Sequence, residues 1–176
     1  MRNVLTYFLL LSFTSLCLSG CENESEKAFR SDLPGRWRVN DFTTSGTETT
    51  LNNDGTFSER AVTTTVTNND LEITFTDNPA SYYSEGTYTV NYVYTANEVT
   101  SSVSVEASGI GQGSWTFDDG QMEMISHQNA EVYQLDEITI NEDGTIDASG
   151  TYELRRISDD QPKTAELTVS FQLSPL

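Results

Sequence analysis

The chain is poor in the residues that carry most enzyme chemistry. Of its 176 residues, two are cysteine and one is histidine. Cys17 and Cys21 both fall near the amino terminus, so residues 22–176 can form no disulfide framework, cysteine zinc site or thiolate nucleophile. A zinc site built on His127 would need carboxylates as its other ligands, an unusual set. A Ser-His-Asp arrangement would need His127 as its base, and no nucleophile-elbow sequence accompanies it. His127 therefore reads as an ordinary strand-end or loop residue. Basic residues are also scarce: nine Lys and Arg stand against 27 Asp and Glu, a net charge of −18. That balance opposes DNA, RNA and anionic membrane surfaces. There is no phosphate-binding glycine loop and no basic-aromatic nucleic-acid surface. The apolar stretch at residues 4–18 is shorter than the ~20 residues of a spanning helix, and Thr6, Ser12, Thr14 and Ser15 interrupt it.

What that stretch does have is an order. Arg2 is positive, an apolar region with Phe8, Leu9, Leu10, Leu11, Phe13 and Leu16 follows, and the small Ser19 and Gly20 come last. Positive, apolar and small is the layout of a secretory signal, expected over residues 1–20 and removed from the mature protein. Leu18-Ser19-Gly20-Cys21 resembles the lipobox of bacterial lipoproteins. The resemblance implies cleavage before Cys21 and a lipid on its thiol, hence a membrane anchor. Loss of Arg2 would take the net charge from −18 to −19. Glu22, Glu24 and Glu26 follow the cysteine. Residues 21–33 read as an acidic tether, with a possible helical turn near residues 24–30. They also resemble the acidic export signals of Bacteroidota surface lipoproteins. Glu22 stands where aspartate marks retention in the inner membrane of many Gram-negative bacteria. Both features imply lipid anchoring to the outer membrane, in either leaflet.

Beyond residue 33 the hydrophobic period is two, the signature of strands with one wet face. Leu71, Ile73 and Phe75 alternate with Glu72, Thr74 and Thr76; Tyr88, Val90, Tyr92 and Tyr94 share a face; Val103 and Val105 sit among serines and Glu106; Ala165, Leu167, Val169, Phe171 and Leu173 form the clearest strand. Asn53-Asp54-Gly55-Thr56, Asp118-Asp119-Gly120 and Glu142-Asp143-Gly144-Thr145 contain the Asp-Gly pair that suits tight hairpins. A pattern of glycine, aromatic two residues on and apolar two further begins at Gly35, Gly86, Gly113 and Gly150. Glycine there permits a bend or close approach, and the aromatic closes the core beneath it. The expectation is one all-β domain over residues 34–176, an antiparallel barrel of about eight to ten strands, with a β-sandwich as the alternative.

Leu33-Pro34-Gly35-Arg36-Trp37, followed by Leu51-Asn52-Asn53-Asp54-Gly55-Thr56-Phe57, resembles the opening of lipocalin-like (calycin-type) lipoproteins. The resemblance implies a lipocalin-like barrel in which Gly35 and Trp37 are structural. It also implies a late arginine, Arg155 or Arg156, packed over Trp37 in a cation–π contact. Residues 165–173 form a further strand after those arginines, which departs from the family pattern.

Acid pairs at Asp118-Asp119, Glu142-Asp143 and Asp159-Asp160 read as solvated turns, with loop calcium as the other reading; none has EF-hand spacing. The tyrosine stripe and Trp115 supply the candidate ligand-binding residues: Tyr88, Tyr92, Tyr94 and Trp115. Tyrosine suits a pocket that is apolar yet needs hydroxyl handles. With no catalytic residue, metal site or cofactor to assign, the expected function is non-enzymatic: a lipid-anchored envelope protein binding a small apolar or amphipathic ligand. The alternative is a packed surface module that recognises a protein or glycan.

Overall fold

The computed structural model describes residues 24–128, 131–158 and 161–176, and leaves the side chains of residues 24–26, 155–158 and 161 outside that description. The expected signal at 1–20, Glu22 and the lipidation site Cys21 lie outside the described residues, as do Asp159 and Asp160. Among the described residues one helix, α1 (Glu24–Asp32), precedes eleven strands: β1 (Gly35–Leu51), β2 (Phe57–Thr67), β3 (Glu72–Asp77), β4 (Ala80–Glu85), β5 (Thr87–Ala96), β6 (Val99–Ser108), β7 (Gln112–Asp118), β8 (Gln121–Ser126), β9 (Val132–Ile140), β10 (Ile146–Ser158) and β11 (Gln161–Pro175). Eight close an antiparallel barrel in the order β1-β3-β4-β7-β8-β9-β10-β11 and back to β1. The other three, β2, β5 and β6, form a wing that continues from β1. The fold is therefore the expected barrel and not the sandwich, its eight strands within the expected number, with three further strands outside it.

The extra strands follow from how β1 is used. It runs 17 residues, and β11 pairs along nearly all of it. Its other edge is divided: residues Gly35 to Arg38 pair with β3, and residues Thr43 to Leu51 pair with β2. The register on β11 shifts between Val39 and Asp41, a bulge that bends the strand where its partner changes. Asn69 holds the fork open. Its Nδ2 donates to the Val39 carbonyl at 2.5 Å, and its Oδ1 accepts from the Leu71 amide at 2.9 Å. The chain later crosses from barrel to wing at Gly86, where a Cβ would lie 2.2 Å from the Asp70 carbonyl oxygen. The β5–β6 hairpin turns on Asn97 and Glu98, both at positive φ. It lacks the Asp-Gly signature of the β1–β2, β7–β8 and β9–β10 hairpins.

Alternation places the core as expected on β3 and β11: Leu71, Ile73 and Phe75, then Ala165, Leu167, Val169, Phe171 and Leu173, are all buried. It misplaces β6. Val103 and Val105 share an apolar face, but the strand is the outer edge of the wing and both remain nearly half exposed.

The base of the barrel is filled. Residues 24–33, expected as tether, instead form α1 and its exit, with Phe29 and Leu33 buried against the barrel. Phe29 stacks on Phe117 at 4.2 Å, and Arg30 Nε donates to the Phe117 carbonyl at 3.1 Å. The domain therefore begins before residue 34. Trp37 closes this end, its Nε1 donating to the Leu33 carbonyl at 2.8 Å. The arginine expected over Trp37 is not available to it. Arg155 pairs with Thr164, and Thr164 pairs with Thr49, whereas Trp37 pairs with Pro175. Twelve residues of β1 separate those levels, roughly 40 Å along a strand. Neither Arg155 nor its neighbour Arg156 can cap the end that Trp37 closes.

Candidate functional site

The upper end of the barrel is open where the lower end is solid. Around Phe29, Ile73, Met124 and Phe171 the base leaves a void of only about 20 Å³. Between the inner face of the wing and the upper barrel lies a cleft of about 490 Å³. A wider, shallower groove of about 800 Å³, rich in threonine, runs outside β1, β10 and β11. It has no aromatic wall.

Strand register builds the cleft. On β5 the residues Tyr88, Val90, Tyr92 and Tyr94 point to one face; across β2 that face continues as Val62, opposite Tyr94, and Thr64, opposite Tyr92. The barrel supplies Tyr133 from β9, Tyr152 and Leu154 from β10, and Ala165 and Leu167 from β11. The loop Gly109-Ile110-Gly111 forms part of the rim, tied down by Ser84. The Ser84 hydroxyl accepts from the Ile110 amide at 2.7 Å and donates to the Gly111 carbonyl at 2.8 Å. Gly109 and Gly111 carry the positive φ values that this return to the barrel requires.

Its polar groups are organised in pairs. Buried Thr44 and Thr64 share a hydroxyl hydrogen bond at 2.8 Å. Glu48 is 4% exposed and receives Arg60 Nε at 2.9 Å and an Arg60 terminal nitrogen at 2.6 Å. The same guanidinium lies 3.7 Å from the centre of the Tyr94 ring, and Tyr94 runs parallel to Tyr92 with centroids 5.8 Å apart. A second stack, Tyr133 on Tyr152 at 4.5 Å, lines the barrel side. The Tyr88 hydroxyl donates to the Gly109 carbonyl at 3.1 Å.

Burial dominates the acid–base behaviour of these phenols. It pushes Tyr88 up to about 12, helped by Tyr92 and Glu131, and pushes Tyr82, deeper in the barrel, up to about 12 as well. Tyr133 and Tyr152 are raised further, first by burial and then by their neighbours, Glu131 among them. A phenol whose folded pKa exceeds its unfolded value contributes stability that is complete below the unfolded pKa of about 10 and is lost as pH rises through the folded value. The contribution of these phenols should thus be constant up to about pH 10 and weaken from there towards pH 12. Phenolate absorbance followed against pH should show Tyr82, Tyr88, Tyr133 and Tyr152 ionising late, together with loss of structure. Four early, independent titrations in their place would contradict these burials.

Three of the four sequence candidates, Tyr88, Tyr92 and Tyr94, meet in the cleft. Trp115 does not. It is buried in the barrel core, set edge-on to Phe75, with Nε1 donating to the Thr76 carbonyl at 2.8 Å. Its inward direction was legible, but the interior at that level is filled. His127 lies on the exposed β8–β9 turn, its amide donating to the Gln112 carbonyl, and it does not line the cleft. The described acid pairs, Asp118-Asp119 and Glu142-Asp143, lie at turns. Asp143 Oδ1 accepts from the Thr145 amide and hydroxyl, and Asp54 binds Thr56 identically; these bonds hold both carboxyls below the usual carboxylate range. Among the described residues no three His, Cys, Asp or Glu side chains gather as a metal site.

Glu48, Arg60, Glu131 and Tyr133 were not singled out from the sequence, and Tyr152 was read only as the inward aromatic two residues after Gly150. A signal existed for the first pair: they are equidistant from the Asn-Asp-Gly turn, so extending the hairpin register pairs Glu48 with Arg60. Comparison of the chain with protein families, with curated proteins and with solved structures finds no match.

Proposed function

We propose that this chain is a lipid-anchored, non-enzymatic protein of the cell envelope that holds a small apolar or amphipathic ligand in the cleft between wing and barrel. The observation that carries the reading is the cleft itself. Its volume of about 490 Å³ is that of a small-molecule site, and aliphatic and tyrosine side chains with a few paired polar groups line it. Tether and anchor rest on the lipobox-like Leu18-Ser19-Gly20-Cys21, and the acidic residues after it favour the outer membrane. A second reading, docking of a protein or glycan partner, is favoured by β6, an unpaired edge with Val99, Val103 and Val105 exposed.

Native mass spectrometry of residues 22–176, without lipid and after exposure to an envelope extract, tests the choice. The expected result is a discrete small-molecule mass retained by the folded protein. A clean ligand-free mass under every condition would displace the binding reading in favour of the docking surface on β6.

A further inference from the structure

We propose that the outer edge of β6 is a strand-addition site, which takes an extended, basic segment of a partner protein as one more strand, antiparallel to β6. This goes beyond the cleft and deepens the docking reading of β6; a ligand found in the cleft, or none, does not bear on it. The barrel closes on itself, and the strand order ends at β6. β6 pairs with β5 through ten consecutive residue pairs, from Ala96 with Val99 to Thr87 with Ser108, without a shift of register. Its other side therefore presents a regular row of backbone N–H and C=O groups along the strand. Proteins blunt such an edge with a short strand, lysine, proline, a bulge or an inward charge. β6 is ten residues long, holds no lysine or proline, and has no bulge against β5. Its single charge, Glu106, lies on the face opposite to the valines and is exposed.

The side chains fit the same use. Val103 lies opposite Tyr92 and Val105 opposite Val90, so the valines continue the apolar face of the wing beyond the cleft lining. Val99, Val103 and Val105 are 70%, 47% and 46% exposed. A strand with apolar residues at alternate positions would extend that face and cover its flank. Charge sets the ends of the partner segment. Across residues 87–108 the charged residues are Glu98 and Glu106, both exposed. An antiparallel partner places two of its residues, eight apart, opposite these acids, and lysine or arginine there gives cross-strand ion pairs. A second copy of the chain fits less well. It brings together two molecules of charge −18. Antiparallel pairing of two β6 edges also points the two bases in opposite directions, so the proposed anchors could not share one membrane. A glycan would need an aromatic face, and β6 carries no aromatic residue.

The probe is the peptide Lys-Val-Thr-Val-Thr-Val-Thr-Val-Lys, N-methylated along one edge so that it cannot grow into fibrils, added to the purified protein. It should bind, and amide hydrogen exchange should slow about tenfold on β6 and stay unchanged on β8. The same peptide N-methylated along both edges should bind at least about tenfold more weakly, as should a glutamate-ended version. Glu106→Lys should weaken the lysine-ended probe about fivefold, whereas Glu123→Lys, the same charge change at an exposed position of β8, should leave it unchanged. Equal binding of the doubly methylated peptide, binding without protection of β6, or an equal loss in Glu123→Lys would each overturn strand addition. A dimer in sedimentation without probe, with β6 already protected, would put a second copy in the partner's place and overturn it as well. No binding of the lysine-ended probe overturns the proposal and leaves the cleft reading standing.

Discussion

Gly150→Ala should destabilise the protein by about 3 kcal/mol, although it adds one methyl group. Gly150 lies on β10 between Ala148 and Tyr152, with its missing side chain directed as theirs are, towards the barrel interior. A Cβ there would sit 1.9 Å from the Gln134 carbonyl oxygen and 2.7 Å from the Leu135 Cα. Both obstacles are backbone of β9, so no side chain can rotate away. The ladder between β9 and β10 also changes register between Ser149 and Gly150. The close approach is therefore how the sheet coils tightly enough to close. Gly120→Ala is the control. Gly120 has no atom within 4 Å of its would-be Cβ, and its φ of +79° costs an alanine only about 1 kcal/mol. Urea unfolding followed by the fluorescence of buried Trp37 and Trp115 compares the two variants. Equal midpoints would mean that β9 and β10 can separate without loss, and that closure does not depend on the glycine.

The glycine-aromatic pattern made part of this legible. Gly86 and Gly113 share the close approach, a Cβ on Gly113 falling 1.8 Å from the Ile125 carbonyl oxygen, whereas Gly35 does not. Such positions are read from spacing because the bend and the inward aromatic must sit at a constant offset along a strand. The Asp-Gly hairpins and the alternating faces of β3, β5 and β11 were legible for the same reason: they are local, fixed by one turn or one pleat. What was not legible depends on strands far apart in sequence. Nothing local says that β1 changes partner at Asn40, so the wing was invisible and Val103 and Val105 read as core. Nothing local places Arg155 at the far end of the barrel from Trp37; that follows from the β1–β11–β10 register. Half of the cleft could be anticipated because Tyr88, Tyr92 and Tyr94 lie on one strand. Tyr133, Tyr152 and Glu131 join them only through closure.

Phe29→Ala should destabilise the domain by about 3–4 kcal/mol, the ordinary cost of deleting a buried phenyl ring. Phe29 is 5% exposed, stacks on Phe117 and faces Met122, Met124 and Leu173 across the barrel base. The exposed residues of the same helix make the comparison sharp: Lys27→Ala should stay within about 0.5 kcal/mol of the parent. Denaturant midpoints distinguish a plug from a tether, because a solvated tether would lose nothing at either position. The same helix links stability to the proposed anchorage. Its Leu33 carbonyl accepts the Trp37 indole, so the segment next to the expected lipid site is part of the closed end of the barrel. An anchor at Cys21 would then hold the base within a few residues of the membrane. The cleft, at the opposite end of the long β1 and β11 strands, would face away from it. A ligand carried in that cleft would be loaded and released on the side directed away from the anchoring membrane. Loss of Phe29 would therefore loosen the base first, and ligand affinity should fall only where the whole barrel unfolds.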